Sequence, residues 1–489
     1  MKEVYSNTKK FMGFKDKNVE IYLGIPYASS PIKNLRFKAP KKLDSSFFKY
    51  TLNCKEYPSN PIQTGLSNVS EDCLKLNIWK PVSKKNRLPI MVWIYGGSFE
   101  TGGIGEKGAG FGLSFDGKSL AIDTQCIIIT INYRLNVLGF LDFSSLDNRF
   151  DSNIGLKDIM CALEWIQDNA SEFCGDTTNV TLFGQSAGGA LVGALSKIPS
   201  AQHLFHKMII QSACLESFYT KEEAANIAKK YLRLLQIPES KVGQLLTLPA
   251  KKLISVNTQL EKEVRQKVLG TTTFCPVVDE KFLTSFPYLG EYQCDKPLII
   301  GTTKNEGRLF TRFSKDISKE NGKRFLPYFA KEERNIIYSN YVHFPSFKTN
   351  SKVITDLMYT VPKYWMIDQR RESATTYAYR FDFYSGIFKL LRLKACHASD
   401  VPILFNIGSA FYLEKIVTAK RIGITIRHYW GNFARTGSPN GNGLMTWEPY
   451  TKKSKNILIF NKKNRLETDP DKKVKDIYHE YNNFFHDKQ

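Results

Sequence analysis

Gly184-Gln185-Ser186-Ala187-Gly188 forms a G-x-S-x-G arrangement. A serine hydroxyl is a weak nucleophile until a neighbouring base takes its proton. Placed at a sharp strand-to-helix corner, its oxygen is exposed and the next amide N–H points at the substrate. That corner strains the backbone, and a Cβ on either flank would collide with neighbouring chain, so both flanks are glycine. Alone the pattern is weak, but its context strengthens it. The apolar run Val180–Phe183 precedes it, and Ala187-Gly188-Gly189-Ala190 opens a helix. The N-terminus of a helix favours developing negative charge. A second cluster, Tyr95-Gly96-Gly97-Ser98-Phe99, follows the apolar run Leu88–Ile94. Glycines there let backbone amides approach a ligand oxygen, as the oxyanion of an acyl transfer requires. This loop carries no phosphate-cradling G-x-x-x-x-G-K-[ST].

These corners need strands and helices to hold them. LPIMVWIYGG (Leu88–Gly97), CIIITINYRL (Cys126–Leu135), NVTLFG (Asn179–Gly184), MIIQSA (Met208–Ala213), PLIIGTT (Pro297–Thr303) and YAYRFDF (Tyr377–Phe383) read as buried strands. Asp158–Glu172 and Gly189–Leu195 have helical spacing, residues 20–40 read as extended chain and turns, and Thr220–Lys267 is helical and charged. Strands alternating with helices predict a mostly parallel sheet covered on both faces. The polar, aromatic, helix-like stretch 313–365 reads as a substrate-covering cap. One domain over residues 1–489 with that cap inserted is the economical organisation.

With 489 residues and 42% hydrophobic content, the chain can bury a full core and is neither a disordered tail nor a disulfide scaffold. The formal charge of +22 comes mostly from scattered Lys-Lys pairs with acids among them, so it reads as a solvated basic surface, with a nucleic-acid or anionic-membrane footprint as the lesser alternative. The longest apolar run, Ile127–Leu141, is broken by Asn132, Arg134 and Asn136, so no membrane span is expected. The ends show no secretory h-region, retention signal or prenylation box, and a cytoplasmic chain is expected, with a secreted chain whose leader was removed as the alternative. Nine cysteines with no C-x-x-C pair give no zinc pattern, and neither a metal nor a cofactor is expected.

Taken together, the motifs resemble the type-B carboxylesterase/cholinesterase family of α/β-hydrolases. In family order they are GIPYA (Gly24–Ala28), LRF (Leu35–Phe37), SEDCLKLNIWKP (Ser70–Pro81), YGGSF, NYRLNVLGFL (Asn132–Leu141), SNIGLKD (Ser152–Asp158), NVTLFGQSAGG, GTTKNEG (Gly301–Gly307) and CHASDVPILF (Cys396–Phe405). The resemblance implies the α/β-hydrolase fold and places the triad acid on Glu306 and the base on His397. It places the oxyanion amides at Gly97, Ser98 and Ala187, and substrate contacts at Gln185, Phe99 and Phe274. The order Ser, acid, His is that of α/β-hydrolases. Without the resemblance, His397 could not be chosen among seven histidines.

Departures from the family pattern are Gln185 for a common Glu, Ser98 for a third glycine, Asn305 for Asp beside Glu306, and Cys214 for a serine that supports the triad. The family's first disulfide joins the Cys73 position to an upstream cysteine. Cys54 is offset from that place, so a reducing compartment is expected. Three sequons, at Asn68, Asn169 and Asn179, read as chance. Residues 54–73 hold no Trp or Phe for a quaternary ammonium, which speaks against a choline ester. Small threonines opening Thr271–Phe282, where the family lines its acyl pocket, suggest room for acyl groups larger than acetyl. The expected function is a serine carboxylesterase acting on small, neutral, fairly apolar esters as a monomer or weak homo-oligomer. The alternatives are a catalytically retired binding or adhesion protein, and an esterase that captures toxic esters stoichiometrically.

Overall fold

A computed structural model describes residues 2–265, 272–289, 294–313, 335–408 and 416–478, apart from 45, 46, 48, 111, 336 and 345. Among the described residues, thirteen strands form one sheet. Its twelve longer strands, in chain order, are β1 (Lys2–Tyr5), β2 (Phe11–Asp16), β3 (Val19–Pro26), β4 (Lys75–Pro81), β5 (Leu88–Ile94), β6 (Ile127–Ile131), β7 (Gly175–Gln185), β8 (Lys207–Gln211), β9 (Leu298–Thr303), β10 (Thr376–Phe381), β11 (Asn456–Phe460) and β12 (Arg465–Thr468). Across the sheet the order is β1-β2-β3-β4-β6-β5-β7-β8-β9-β10-β11-β12. From β6 to β11 every neighbour is parallel, and antiparallel pairs close both edges.

The expected central strands all form, because runs such as Ile127–Ile131 are buried on both faces and fit only between helical layers. Ile90 faces Trp165 and Phe173, on and just after helix Ile154–Asn169. Trp93, on the opposite side of the same strand, meets the rings of Phe183 (4.9 Å) and Phe405 (5.0 Å). Strand β6 stops at Ile131, short of the apolar run, because the Asn132 side chain is drawn into loop contacts with the Ile104 N–H and the Ser59 carbonyl. The hairpins β1–β2 and β11–β12 went unread in the sequence, since exposed edge strands carry charges instead of an apolar alternation.

Of the expected cap, residues 314–334, 336 and 345 lie outside the described residues. The remainder forms helices Phe347–Thr355 and Val361–Asp368, joined by a π-helical turn, Asp356–Thr360. Pro362 has no N–H to donate to the preceding turn, which favours this widening. The charged stretch from Thr220 breaks into four short helical pieces, the last ending at Arg265. All nine cysteines are free. Among the described residues no helix is long and apolar enough to cross a membrane, and no His/Cys/Asp/Glu group is arranged to hold a metal ion.

A buried ion pair fastens the loop after β6 to helix Ile154–Asn169. Arg134 donates to the Asp158 carboxylate through Nε (2.8 Å) and Nη2 (2.6 Å), and its backbone N–H adds a third bond (3.0 Å). Removing one member strands the other in the core. Asp158→Asn is expected to lower unfolding free energy by about 3–5 kcal/mol, read from urea midpoints. A loss below about 1 kcal/mol would assign the pair no more than the strength of a surface bridge.

Candidate active site

Ser186 sits between the end of β7 and helix Ala187–Leu195, at φ 58° and ψ −128°. This is the strained corner expected for an exposed nucleophile. Its backbone N–H is held by the Gln211 carbonyl (2.9 Å), and its carbonyl starts the helix through Ala190 (2.9 Å). The flanking glycines are demanded by neighbours. A Cβ at Gly184 would lie 2.6 Å from the Gly188 carbonyl group and 2.9 Å from the Ile94 oxygen. A Cβ at Gly188 would run into the Ile94 and Tyr95 carbonyls.

Glu306 follows β9 and His397 lies in the loop after helix Gly386–Leu390. They meet Ser186 in one row. His397 Nε2 is 2.8 Å from Ser186 Oγ, and His397 Nδ1 is 2.7 Å from Glu306 Oε2. The Thr303 N–H fixes the other carboxylate oxygen at 2.6 Å. A carboxylate only accepts, so Nδ1 carries the ring proton and Nε2 is left to accept from the serine hydroxyl. The imidazole is flanked by the rings of Tyr359 (4.8 Å) and Phe310 (5.2 Å). Tyr359 comes from the π turn, whose wider spiral brings that ring over His397.

The loop after β5 carries Gly97 at φ 125° and Ser98 at φ 56°. Among the described residues, the N–H groups of Gly97, Ser98 and Ala187 have no acceptor. Three free donors near a nucleophile are what an oxyanion needs. The Gln185 amide lies against the triad, with Nε2 3.2 Å from His397 Nε2. Phe99 and Phe274 are both 0% exposed. Phe99 packs on Phe140 with ring centres 5.0 Å apart, and the chain next to Phe274 is tied to the same residue through the Cys275 N–H and the Phe140 carbonyl (3.3 Å). Of the threonines expected in the acyl region, Thr271 lies outside the described residues, Thr273 is buried, and Thr272 Oγ1 contacts the Cys275 sulfur at 2.7 Å.

Several neighbours were not read from the sequence. Asp400 accepts from Gln211 Nε2 (2.9 Å), whose carbonyl oxygen accepts from Trp430 (3.5 Å). Burial pushes the Asp400 carboxyl up to about 6; the Gln211 bond opposes this and the Glu306 charge adds to it. Burial likewise pushes Glu216 up to about 8. The charges of Cys214, Glu306 and Glu216 all act on the Tyr359 hydroxyl, after burial, to raise it. Cys214 is buried and makes no hydrogen bond to the triad among the described residues. The only available signal was the spacing of Asp400 three residues past His397, which does not reveal a partner on β8.

A literal G-x-x-x-x-G-K-S is present at Gly112–Ser119, and it forms no phosphate loop. Among the described residues no strand runs into it, and Lys118 is committed to Asp16 (2.9 Å) and Asp116 (3.2 Å). Gly117 backs onto the Trp79 ring.

A model of the carboxylesterase family matches residues 7–480. The chain is 34% identical over 483 residues to para-nitrobenzyl esterase of Bacillus subtilis, covering 94% of this chain and 95% of that protein. It is 30% identical to human bile salt-activated lipase, over 93% of this chain and 65% of that one. A solved para-nitrobenzyl esterase structure superposes with TM-score 0.84 at 31% identity, covering 97% of this chain and 99% of that chain. A carboxylesterase of Geobacillus stearothermophilus superposes with TM-score 0.82 at 28% identity, covering 98% and 100%.

The raised Asp400 carboxyl makes stability depend on pH. Its folded value, about 6, exceeds the ordinary 3.8. The stability it contributes is therefore full below about pH 4 and is lost as pH rises through 6. Between pH 4 and 7 the native chain is expected to lose on the order of 2–3 kcal/mol relative to Asp400→Asn in paired urea titrations. Parallel curves for the two proteins would remove Asp400 as the source.

Proposed function

The chain belongs to the carboxylesterase family and hydrolyses carboxylic esters as a serine hydrolase, and we propose that Ser186, His397 and Glu306 carry out that chemistry. The observation that supports this most directly is the unbroken row from Ser186 Oγ through the imidazole to Glu306. Ser186 Oγ attacks the ester carbonyl while its proton passes to His397 Nε2. The carbonyl oxygen gains the negative charge and takes the N–H groups of Gly97, Ser98 and Ala187. Collapse expels the alcohol, which receives the proton from His397, and leaves an acyl-serine. Water, deprotonated by the same imidazole, then attacks the acyl group. The serine oxygen leaves and is reprotonated by His397. Glu306 holds the ring in the required tautomer and offsets its charge when it is protonated. One oxyanion donor is worth about 2.7–4 kcal/mol of barrier.

The substrate reading is a neutral, fairly apolar ester, supported by the rings of Tyr359 and Phe310 beside His397. Gln185 in place of a carboxylate takes a charge away from the alcohol side and leaves little to attract a cationic alcohol. Helices Phe347–Thr355 and Val361–Asp368 serve as the cap within a single domain, carrying Tyr359 to the site. Nine free thiols support a reducing, cytoplasmic location. The monomer or weak homo-oligomer remains part of this reading. With all three triad groups in hydrogen-bond reach, nothing favours the retired-binder reading.

Ser186→Ala is expected to lower kcat for p-nitrophenyl esters by about 10⁴–10⁶-fold, and an organophosphate should label Ser186 by peptide mass analysis. Turnover persisting at the native rate in that variant would refute the assignment. Across acetyl, butyryl and longer p-nitrophenyl esters, kcat/KM is expected to rise beyond acetyl; a strong acetyl preference would end the roomy-pocket reading.

A further inference from the structure

Beside the triad lies an apolar, basic ridge that ester chemistry does not use. In residues 386–394, Ile387 is 38% exposed, Leu390 82% and Leu391 40%. Single exposed aliphatics are ordinary, but three on one short segment among cations are not. Lys389 and Arg392 are exposed, and no acidic residue occurs between Asp382 and Asp400. Cations from two other segments converge on the same place. Lys394 is pushed below its ordinary value first by burial, then by the charges of Arg308, Lys304, Lys348 and Lys389. Among the described residues, no carboxylate lies within ion-pair reach of Lys348, Lys389, Arg392 or Lys394. Lys304 pairs with Asp382 at 3.1 Å.

The segment is braced rather than left loose. Arg308 Nη1 donates to the Arg392 carbonyl (2.6 Å) and Arg312 Nε to the Leu391 carbonyl (3.3 Å). Ser385 caps the short helix through the Phe388 N–H (3.5 Å). Both arginines stand on helix Gly307–Phe313, which starts directly after Glu306 and carries Phe310 against His397. His397 itself lies three residues beyond Lys394.

We propose that this ridge docks the protein on an anionic phospholipid bilayer. Leu390, Ile387 and Leu391 enter the boundary between headgroups and acyl chains, while Lys389, Arg392, Lys394, Lys348 and Arg308 meet the phosphates. A polynucleotide would match the charge but would leave the aliphatic tips in water, and the ridge offers no exposed aromatic ring for bases to stack on. Docking sets His397 and Ser186 close to the lipid surface, so esters partitioned into the bilayer gain a short route to the site.

The test is co-sedimentation of the full chain with two vesicle types, phosphatidylcholine alone and phosphatidylcholine with phosphatidylglycerol at two to one. Binding is expected to the mixed vesicles and to be weak on phosphatidylcholine alone. Leu390→Asp is expected to weaken it at least about tenfold. The pair Lys389→Glu with Lys394→Glu should weaken it at least about 25-fold, near fivefold for each lysine lost. Hydrolysis of a soluble p-nitrophenyl ester should stay at the native rate in both variants, which reports that they fold. No binding to the mixed vesicles, or equal binding by native protein and Leu390→Asp, overturns the proposal. So does tighter binding to duplex DNA than to the mixed vesicles at the same salt.

Discussion

The close approach of β5, β7 and the first turn of helix Ala187–Leu195 is the constraint on which the site depends. Gly184 and Gly188 leave no room for a Cβ because the Ile94 carbonyl occupies that space. The turn is therefore tight, Ser186 is held at φ 58°, and its hydroxyl reaches His397 Nε2. The same contact brings the loop after Ile94 alongside, with Gly96 near Ser186: a Cβ there would lie 2.8 Å from that of the serine. Ser186 and the loop amides of Gly97 and Ser98, the proposed nucleophile and oxyanion donors, are thus placed by one packing event, and the strain of the corner is borne by parallel strands buried on both faces.

Around this corner the polar groups are arranged in layers. Glu306 is fixed by Thr303 and fixes His397; Asp400 is tied to Gln211 and Trp430 behind it. Gln211 does double duty: its backbone carbonyl holds the Ser186 N–H while its side chain holds Asp400. Strand β8 therefore couples Ser186 to the loop carrying His397. Low dielectric strengthens each of these bonds and also makes any unpaired member costly, which is why the network sits on rigid elements.

Legibility in the sequence followed locality. The central strands and the nucleophile turn were readable because their signals, β-branched runs and glycine spacing, act within a few residues. The edge hairpins were not, since an exposed strand needs no apolar face. The literal phosphate-loop pattern at Gly112–Ser119 shows the opposite failure, a local match whose lysine is spent on Asp16 and Asp116. Phe99 and Phe274 are placed along the substrate by resemblance alone; in the structure both are fully buried, and Phe99 packs on Phe140.

The sequence by itself determined the parallel core, the strained serine corner and the glycine-lined loop beside it, because each arises from backbone freedom and burial within a short window. Only the tertiary structure decided that an imidazole 211 residues from Ser186 and a carboxylate 91 residues from that imidazole share one hydrogen-bonded row. It also decided that a π turn lays Tyr359 on His397, that Asp400 finds Gln211, and that Leu390 stays in solvent. Such contacts depend on how separate elements pack, and no spacing along the chain encodes a distance between side chains brought together across a sheet.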